Sequence, residues 1–384
     1  MKSKTFLPFH RPSIGNNEIR RVNRVLKSGW LTRGQVTEDF EKRVKEYVGT
    51  RHCVAMNSCT SALHLSLLSA SIGSADEVIV PTFTFAASGN VVVHTGARPV
   101  LADIDEETFN ISISSLEQSI TERTRAIIGV DYAGHPCEID QISKVARPAG
   151  IMVVQDAAHS FGARFRGNKI GKQADTTCFS FYVTKNITTA EGGALVTQSN
   201  RISEKARILS LHGMSKDAWK RYGKGGSWYY EVVDFGFKYN MNDVQAAIGI
   251  AQLDKVESLH KKRQQIASLY SEALIKLDGV KIPQAKKHVK HAWHLYPIRI
   301  ERKAEITRDK VIDLLTKHGI GTSVHFIPLH LHPAYQRRFN YRRGDFPIAE
   351  RVFDEIVSLP LYPTMTISDV SRVIHSLSDI LKKR

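Results

Sequence analysis

Val153-Val154-Gln155-Asp156-Ala157-Ala158-His159-Ser160 reads as an apolar strand that ends in a carboxylate and passes into a turn of small residues. In sheets of parallel strands the carboxyl ends gather the ligands, so Asp156 stands where such a sheet does its chemistry. An aspartate at a strand end is also a common cap or turn residue, and the sheet has to be found first. Short apolar runs flank the stretch on both sides. Cys53 to Met56, Val78 to Val80, Pro99 to Ala102 and Ala126 to Val130 precede it, Ile151 to Gln155 overlaps it, and Cys178 to Phe181 and Ala194 to Thr197 follow. Runs of this kind alternating with helical patterns predict βαβ units and a mainly parallel sheet buried on both faces, hence an α/β fold.

Further out the periods are helical. Ile19, Val22 and Leu26 recur at helical spacing before Ser28-Gly29, and Phe40, Val44, Tyr47 and Val48 repeat the pattern, so two amphipathic helices are expected before the first strand. Met241 to Leu253 is helical and runs into a second helical stretch that reaches about Leu277. Beyond Gly279, strand patterns such as Trp293 to Ile300 mix with the helical stretch Arg308 to His318, as in a smaller α+β domain. The expected division is a large domain over residues 1–255 and a linking helix with a small C-terminal domain over 256–384. The 384 residues suffice for both.

Composition narrows the function. With 42% hydrophobic and 24% charged residues and no unbroken apolar run of about 20, the chain reads as soluble. The start MKSKTFLPFHRPSIG has no apolar core of a signal peptide, so a cytoplasmic location is expected. Cys53, Cys59, Cys137 and Cys178 are far apart and form no CxxC pair, which favours reduced thiols over a zinc or redox site. The net charge of +16 invites a nucleic-acid reading, but its densest groups, Lys261-Lys262-Arg263 and Lys382-Lys383-Arg384, fall on a helix pattern and at a terminus. A small anionic substrate would profit from the same field.

Three more segments carry candidate chemistry. Cys178 to Gly193 is a strand, then a polar turn with a single lysine, Lys185, then Glu191-Gly192-Gly193. A lysine in a polar turn is usually a solvated charge; the functional alternative is an amine that a desolvated pocket frees of its proton to attack a carbonyl. Asn57-Ser58-Cys59-Thr60-Ser61 follows a strand and opens an apolar helix, where free N–H groups and hydroxyls can seat a phosphate. Pro81-Thr82-Phe83-Thr84-Phe85 sets aromatic rings just after a strand, for stacking on a flat ring or for packing. His325, His330 and His332 in HFIPLHLHP lack the carboxylate or cysteine company of a metal site, and no metal is expected. The glycine-rich turn between Trp219 and Trp228, with Gly223, Gly225 and Gly226, is either a cover over the site or a plain surface loop.

Taken together, DAAHSFGA (156–163), FSFYVTKNITTAEGG (179–193) and GFKYNMNDVQAAIG (236–249) resemble the DegT/DnrJ/EryC1/StrS sugar aminotransferases. The likeness is collinear from SGWLTRG (28–34) to SLPLYPTMT (358–366). The resemblance implies the fold-type-I aminotransferase architecture, with a mainly parallel seven-stranded sheet in the large domain. It implies pyridoxal 5'-phosphate as cofactor, held on Lys185, with Asp156 at the pyridine nitrogen, Phe85 stacked on the ring and His159 beside it. Thr60, Ser61 and Ser180 correspond to phosphate contacts. Asn240, with Lys238 near it, corresponds to a residue reaching into the neighbouring subunit, which implies a homodimer with shared active sites.

The implied reaction moves an amino group from glutamate to a nucleotide-linked keto-sugar, best matched by a UDP-4-keto-sugar. Two departures stand out. Many members carry Gly or Ala at the place of Cys59, and Asn-Tyr-Arg where this chain has Lys238-Tyr239-Asn240, a form shared with members that make UDP-4-amino-4-deoxy-L-arabinose. Rival readings are a pyridoxamine-dependent sugar dehydratase, in which histidine replaces the lysine, and a non-catalytic regulatory protein retaining the fold. Lys185 together with Asp156 speaks against both.

Overall fold

The computed structural model describes residues 6–215 and 229–382, so the glycine-rich turn up to Trp228 and the terminal Lys383-Arg384 lie outside the described residues. All seven expected runs are strands of one sheet. They are β1 (His52–Met56), β2 (Glu77–Pro81), β3 (Arg98–Ala102), β4 (Thr124–Val130), β5 (Met152–Asp156), β8 (Thr176–Ser180) and β9 (Gly193–Thr197), in the order β1-β9-β8-β5-β4-β2-β3. The short strands β6 (Arg164–Phe165) and β7 (Asn168–Lys169) fall between β5 and β8 in sequence. Pairings from β3 through β2, β4 and β5 to β8 are parallel, and β9 runs antiparallel to both β8 and β1.

Successive side chains of a strand point to opposite faces, and here each face meets its own core. Val78, Val80, Ala126 and Ile128 pack with helices α3 (Cys59–Ser69), α4 (Ala86–His94) and α7 (Asn200–Leu209). Ile79 and Ile127 face the other side, toward α2 (Gln35–Val48), α5 (Ile113–Ser119), α6 (Ile139–Ala146) and α8 (Asp243–Asp254). Burial on both faces is the reason these strands read as continuous apolar runs.

The first helix, α1 (Asn16–Ser28), forms where expected but presents its apolar stripe outward. Ile19 and Leu26 are more than half exposed, and Val25 and Glu18 are its buried residues. Polar contacts attach it instead. Glu18 accepts from Gln252 Nε2 at 2.8 Å and pairs with Lys255 Nζ at 2.7 Å.

Lys255 separates α8 from α9 (Val256–Leu274). The remaining elements are β10 (Val280–Lys281), β11 (Val289–Lys290), β12 (Tyr296–Ile300), α10 (Arg308–Lys317), α11 (Pro333–Phe339), α12 (Pro347–Glu355), β13 (Ile356–Leu359) and α13 (Ile367–Lys382). An antiparallel sheet β10-β12-β13 forms a third core with α9, α10 and α13. The chain crosses this division in both directions. Leu7 bonds to the main chain of Gly319 and Gly321 and joins the third core, while β11 pairs with β6, and Leu329, Tyr335 and Val352 pack into the core of the large sheet.

Candidate active site

Asp156 is the last residue of β5, Lys185 stands in the loop after β8, and α3 begins directly beyond β1. These places converge at one end of the sheet because the parallel strands all deliver their carboxyl ends there. A cavity of about 820 Å³ lies at the opposite ends of β4, β5 and β8, lined by residues such as Arg125, Met152 and Asp175, and none of the groups above reaches it.

The Lys185 loop is pinned at both stems. Lys185 N–H donates to Tyr182 O at 2.9 Å, Thr189 N–H to Phe181 O at 2.9 Å, and Asn186 Nδ2 to Ala292 O at 2.9 Å. Its amine is enclosed, and burial lowers its pKa from 10.5 to about 8 against the opposing pull of Cys59 and Asp156. A residual part of the Lys185 surface borders a small cavity of about 10 Å³ shared with His10, Asn186 and Arg263.

Burial raises the pKa of Asp156, and three donors, with Lys185, oppose the rise. Ser88 Oγ donates to Oδ2 at 2.8 Å, Ala158 N–H to Oδ1 at 3.2 Å, and Cys59 Sγ lies 3.9 Å from Oδ1. His159 is buried, and its Nδ1 accepts the Ala133 N–H at 3.2 Å, which leaves the proton of the neutral ring on Nε2. Burial and the Lys185 charge hold its pKa well below 6.5. The ring stacks on Phe326 at 5.9 Å and lies 4.3 Å from His294, which is equally kept neutral by burial. Phe85 caps α4 with 61% of its surface exposed, its ring 5.7 Å from that of Phe326.

Ser58 caps α3 by accepting Ser61 N–H at 3.1 Å. Thr60 is exposed, but the Ser61 hydroxyl is buried and spent on Asn57 Oδ1 at 2.5 Å, beside Ser58 Oγ at 2.8 Å. Ser180 ends β8, and its Oγ accepts Tyr182 N–H at 3.4 Å. A Cβ on Gly193 would strike the Ser58 carbonyl oxygen at 2.5 Å, so glycine is what lets β9 pass under the first turn of α3.

Asn240 bridges to Met56 of its own chain, and its buried Oδ1 has no partner among the described residues. Lys238 is exposed beside it, with its carbonyl taking Asn57 Nδ2 at 3.2 Å. His330 is tied structurally between Thr82 Oγ1 at 2.7 Å and Glu350 Oε1 at 2.9 Å, while His325 bonds Ser358 Oγ at 2.9 Å.

The sequence reading passed over Thr84, Ser88, His10, His294 and Arg263. Thr84 and Ser88 are four apart at the start of a helix, a spacing that brings hydroxyls together and was the available signal. Arg263 is fully buried, and its Nη1 donates to the carbonyls of Trp293, His294 and Leu361, a set of partners from distant segments that leaves no trace in sequence.

This donor set fits pyridoxal phosphate. A buried amine of lowered pKa can meet an aldehyde, a buried carboxylate can hold a pyridine nitrogen's proton, and a helix N-terminus with hydroxyls suits a phosphate.

Comparison with known proteins agrees. Residues 12–378 match the model of the DegT/DnrJ/EryC1/StrS aminotransferase family. An uncharacterized protein of Methanocaldococcus jannaschii is 53% identical over 384 residues, the full length of both chains. The spore coat polysaccharide biosynthesis protein SpsC of Bacillus subtilis is 46% identical, with 99% of this chain and 98% of SpsC covered. Among solved structures, Spr1654 of Streptococcus pneumoniae in its PMP form superposes with a TM-score of 0.92 at 35% identity over 98% of this chain and 99% of that one, and its PLP form with 0.91. Helicobacter pylori PseC, an aminotransferase involved in the biosynthesis of pseudoaminic acid, gives 0.92 at 31% identity over 99% of this chain and 100% of its own.

Proposed function

The chain belongs to the DegT/DnrJ/EryC1/StrS aminotransferase family, whose enzymes aminate sugars with pyridoxal phosphate, and from that premise we propose that it transfers the amino group of glutamate to a nucleotide-linked 4-keto-sugar, with Lys185 and Asp156 as its catalytic pair. The observation that carries this reading is the joint placement of the two groups. An amine with its pKa near 8 and a buried carboxylate stand at the same end of the sheet, each within electrostatic reach of the other.

When bound, pyridoxal phosphate supplies an aldehyde that takes up amino groups and a ring that accepts the electron pair released at the substrate carbon. The residues do the rest. With its pKa near 8, roughly a tenth of Lys185 is neutral at pH 7, enough to act as nucleophile and then to carry the proton from the α-carbon of glutamate. Asp156 would hold the proton of the ring nitrogen. Thr60, Ser180 and the amides of the first turn of α3 would receive the phosphate, with Ser61 bracing that turn from inside, and Phe85 and the neutral His159 would fix the ring in position. In the second half-reaction Lys185 returns the proton to the sugar carbon.

The acceptor is assigned by likeness of the Lys238-Tyr239-Asn240 subgroup, with UDP as the favoured nucleotide, and the site is placed in the cytoplasm, where sugar nucleotides and glutamate meet. Among the described residues no helix is long and apolar enough to cross a membrane. We assign a homodimer with shared sites. Ile19, Leu26, Leu31, Val232, Val233 and Phe235, the last 94% exposed, are apolar groups that a single chain leaves in water, and a second subunit carrying Asn240 toward the site would cover such surface. The test is a panel of UDP-, dTDP- and GDP-linked 4-keto-sugars with glutamate, followed by 2-oxoglutarate release and light scattering of the enzyme. Amination of a UDP-linked ketone by a dimer is expected. Turnover of none of the panel, or full activity in a monomer, overturns the corresponding assignment.

A further inference from the structure

We propose that Ser88, backed by Thr84, is the positioning residue that aims the Asp156 carboxylate and keeps it ionised for the cofactor's ring nitrogen, an inference that rests on the reading of Asp156 above. Ser88 lies in the first turn of α4 and is 1% exposed; Thr84, just before that helix, is 2% exposed. A serine has one proton to give, and Ser88 gives it to Oδ2 of Asp156 at 2.8 Å. Its oxygen is then left to accept, so the 2.9 Å contact with Thr84 Oγ1 runs from Thr84 to Ser88. The result is a directed chain, Thr84 to Ser88 to Asp156, in which each hydroxyl is polarised by the one before it.

The other groups around the carboxylate are weaker or differently placed. Ala158 N–H reaches Oδ1 at 3.2 Å. The Cys59 thiol stands 3.9 Å from Oδ1 and has a nearer acceptor in Cys178 O at 3.6 Å, while the Cys178 thiol is turned to Ser66 Oγ at 3.3 Å. Lys185 acts on Asp156 by its charge. Ser88 therefore makes the shortest hydrogen bond to the carboxylate among the described residues.

Its helix is a firm mount. Gly89 is packed so closely that an added Cβ would overlap the Tyr335 hydroxyl, and that hydroxyl donates to Asn90 at 2.9 Å. A donor on each oxygen, one from a packed helix and one from the backbone of Ala158, fixes the plane of the carboxylate and leaves its remaining lone pairs for a ligand. Burial favours the protonated acid, which could not hold a proton for the ring; hydrogen bonds to the ionised form oppose that tendency.

The test compares Ser88→Ala, Ser88→Thr, Thr84→Val and Asp156→Asn. In cofactor-free protein, the infrared band of the protonated carboxyl, identified by its loss in Asp156→Asn, should appear in Ser88→Ala at a pH about one to two units higher than in wild type. In the loaded enzyme, the pH midpoint of the visible absorption should shift. Single-turnover kcat with glutamate should fall about 10- to 100-fold while KM changes little. Ser88→Thr should restore all three readings, and Thr84→Val should move them less but in the same direction. Wild-type midpoints and kcat in Ser88→Ala, or a Ser88→Thr enzyme as impaired as Ser88→Ala, would overturn the proposal. Should Ser88→Ala not fold, Thr84→Val and Ser88→Thr decide alone, with unmoved midpoints in Thr84→Val counting against the relay. An unaltered Asp156→Asn enzyme would refute the reading of Asp156 itself, whereas a silent Ser88→Ala beside an inactive Asp156→Asn refutes only the relay.

Discussion

Gly193→Ala should loosen cofactor binding without touching any group that contacts the cofactor through a side chain. Gly193 opens β9, faces Met56 of β1 and Ser180 of β8 in the ladder, and runs beneath the first turn of α3. An added Cβ would lie 2.5 Å from the Ser58 carbonyl oxygen and nearer still to the Ser58 carbonyl carbon and the Cys59 nitrogen. Comfortable contact is about 3.5 Å, so strand and helix must part by roughly 1 Å. Backbone atoms form both sides of the clash, and no rotamer change relieves it. Overpacking of this kind costs about 1–3 kcal/mol, which lowers the melting temperature by a few degrees.

The same displacement carries the Cys59 and Thr60 amides away from the phosphate. A loss of about 1.4 kcal/mol there weakens cofactor binding tenfold. Gly192→Ala supplies the control, because its Cβ would meet the movable side chains of Thr189 and Met241. Titration of cofactor-free protein with pyridoxal phosphate, followed by fluorescence, should show the tenfold loss for Gly193→Ala and less than about a threefold loss for Gly192→Ala. Wild-type affinity in Gly193→Ala, or an equal loss in both variants, would refute the phosphate seat at α3.

Three further outcomes follow from the site. Lys185→Arg keeps the charge but cannot carry a proton, and its kcat should fall about 100- to 10,000-fold with little change in melting temperature; a loss below tenfold would contradict the role of the amine. Cofactor capture requires neutral Lys185, whose pKa is about 8, so the second-order loading rate in stopped flow should rise roughly tenfold per pH unit from pH 6 and level off above pH 8. A rate flat across that range would contradict it. His64, His260 and His325 have pKa values of about 4, against 6.5 in the unfolded chain, so the folded state binds fewer protons between these values. Stability should thus be lost as pH falls from about 6.5 toward 4, seen as declining urea midpoints; constant midpoints would contradict their burial in neutral form.

The large sheet was legible because its strands are buried on both faces, which strips polar residues from Val78 to Val80 or Ala126 to Val130 and leaves runs that no surface helix would show. The two helical stretches on either side of Lys255 were legible as patterns, but the returns of the chain across it were not. Leu7 enters the small core and Leu329 the large one through contacts far apart in sequence, which local periodicity does not encode. In α1 the apolar stripe was visible and its direction was not, since Ile19 and Leu26 look outward and the docking face is built on Glu18. At the site, the strand end at Asp156 and the polar loop around Lys185 were legible as local patterns. Ser88 was hidden because its role depends on the distance between α4 and the end of β5, and Ser61 differs from the expected open hydroxyl because Asn57 and Ser58 engage it.

The central claim is that the Lys185 amine carries the cofactor and gives way to an amino donor. Purified enzyme loaded with pyridoxal phosphate and mixed with glutamate, while its visible absorption is recorded, tests this most directly. Wild type should show the lysine-bound band and lose it on addition of glutamate with release of one equivalent of 2-oxoglutarate per site, and Lys185→Ala should never develop the band. A wild-type protein that stays colourless with saturating cofactor, or a Lys185→Ala variant that forms the band and responds to glutamate as wild type does, would contradict the account.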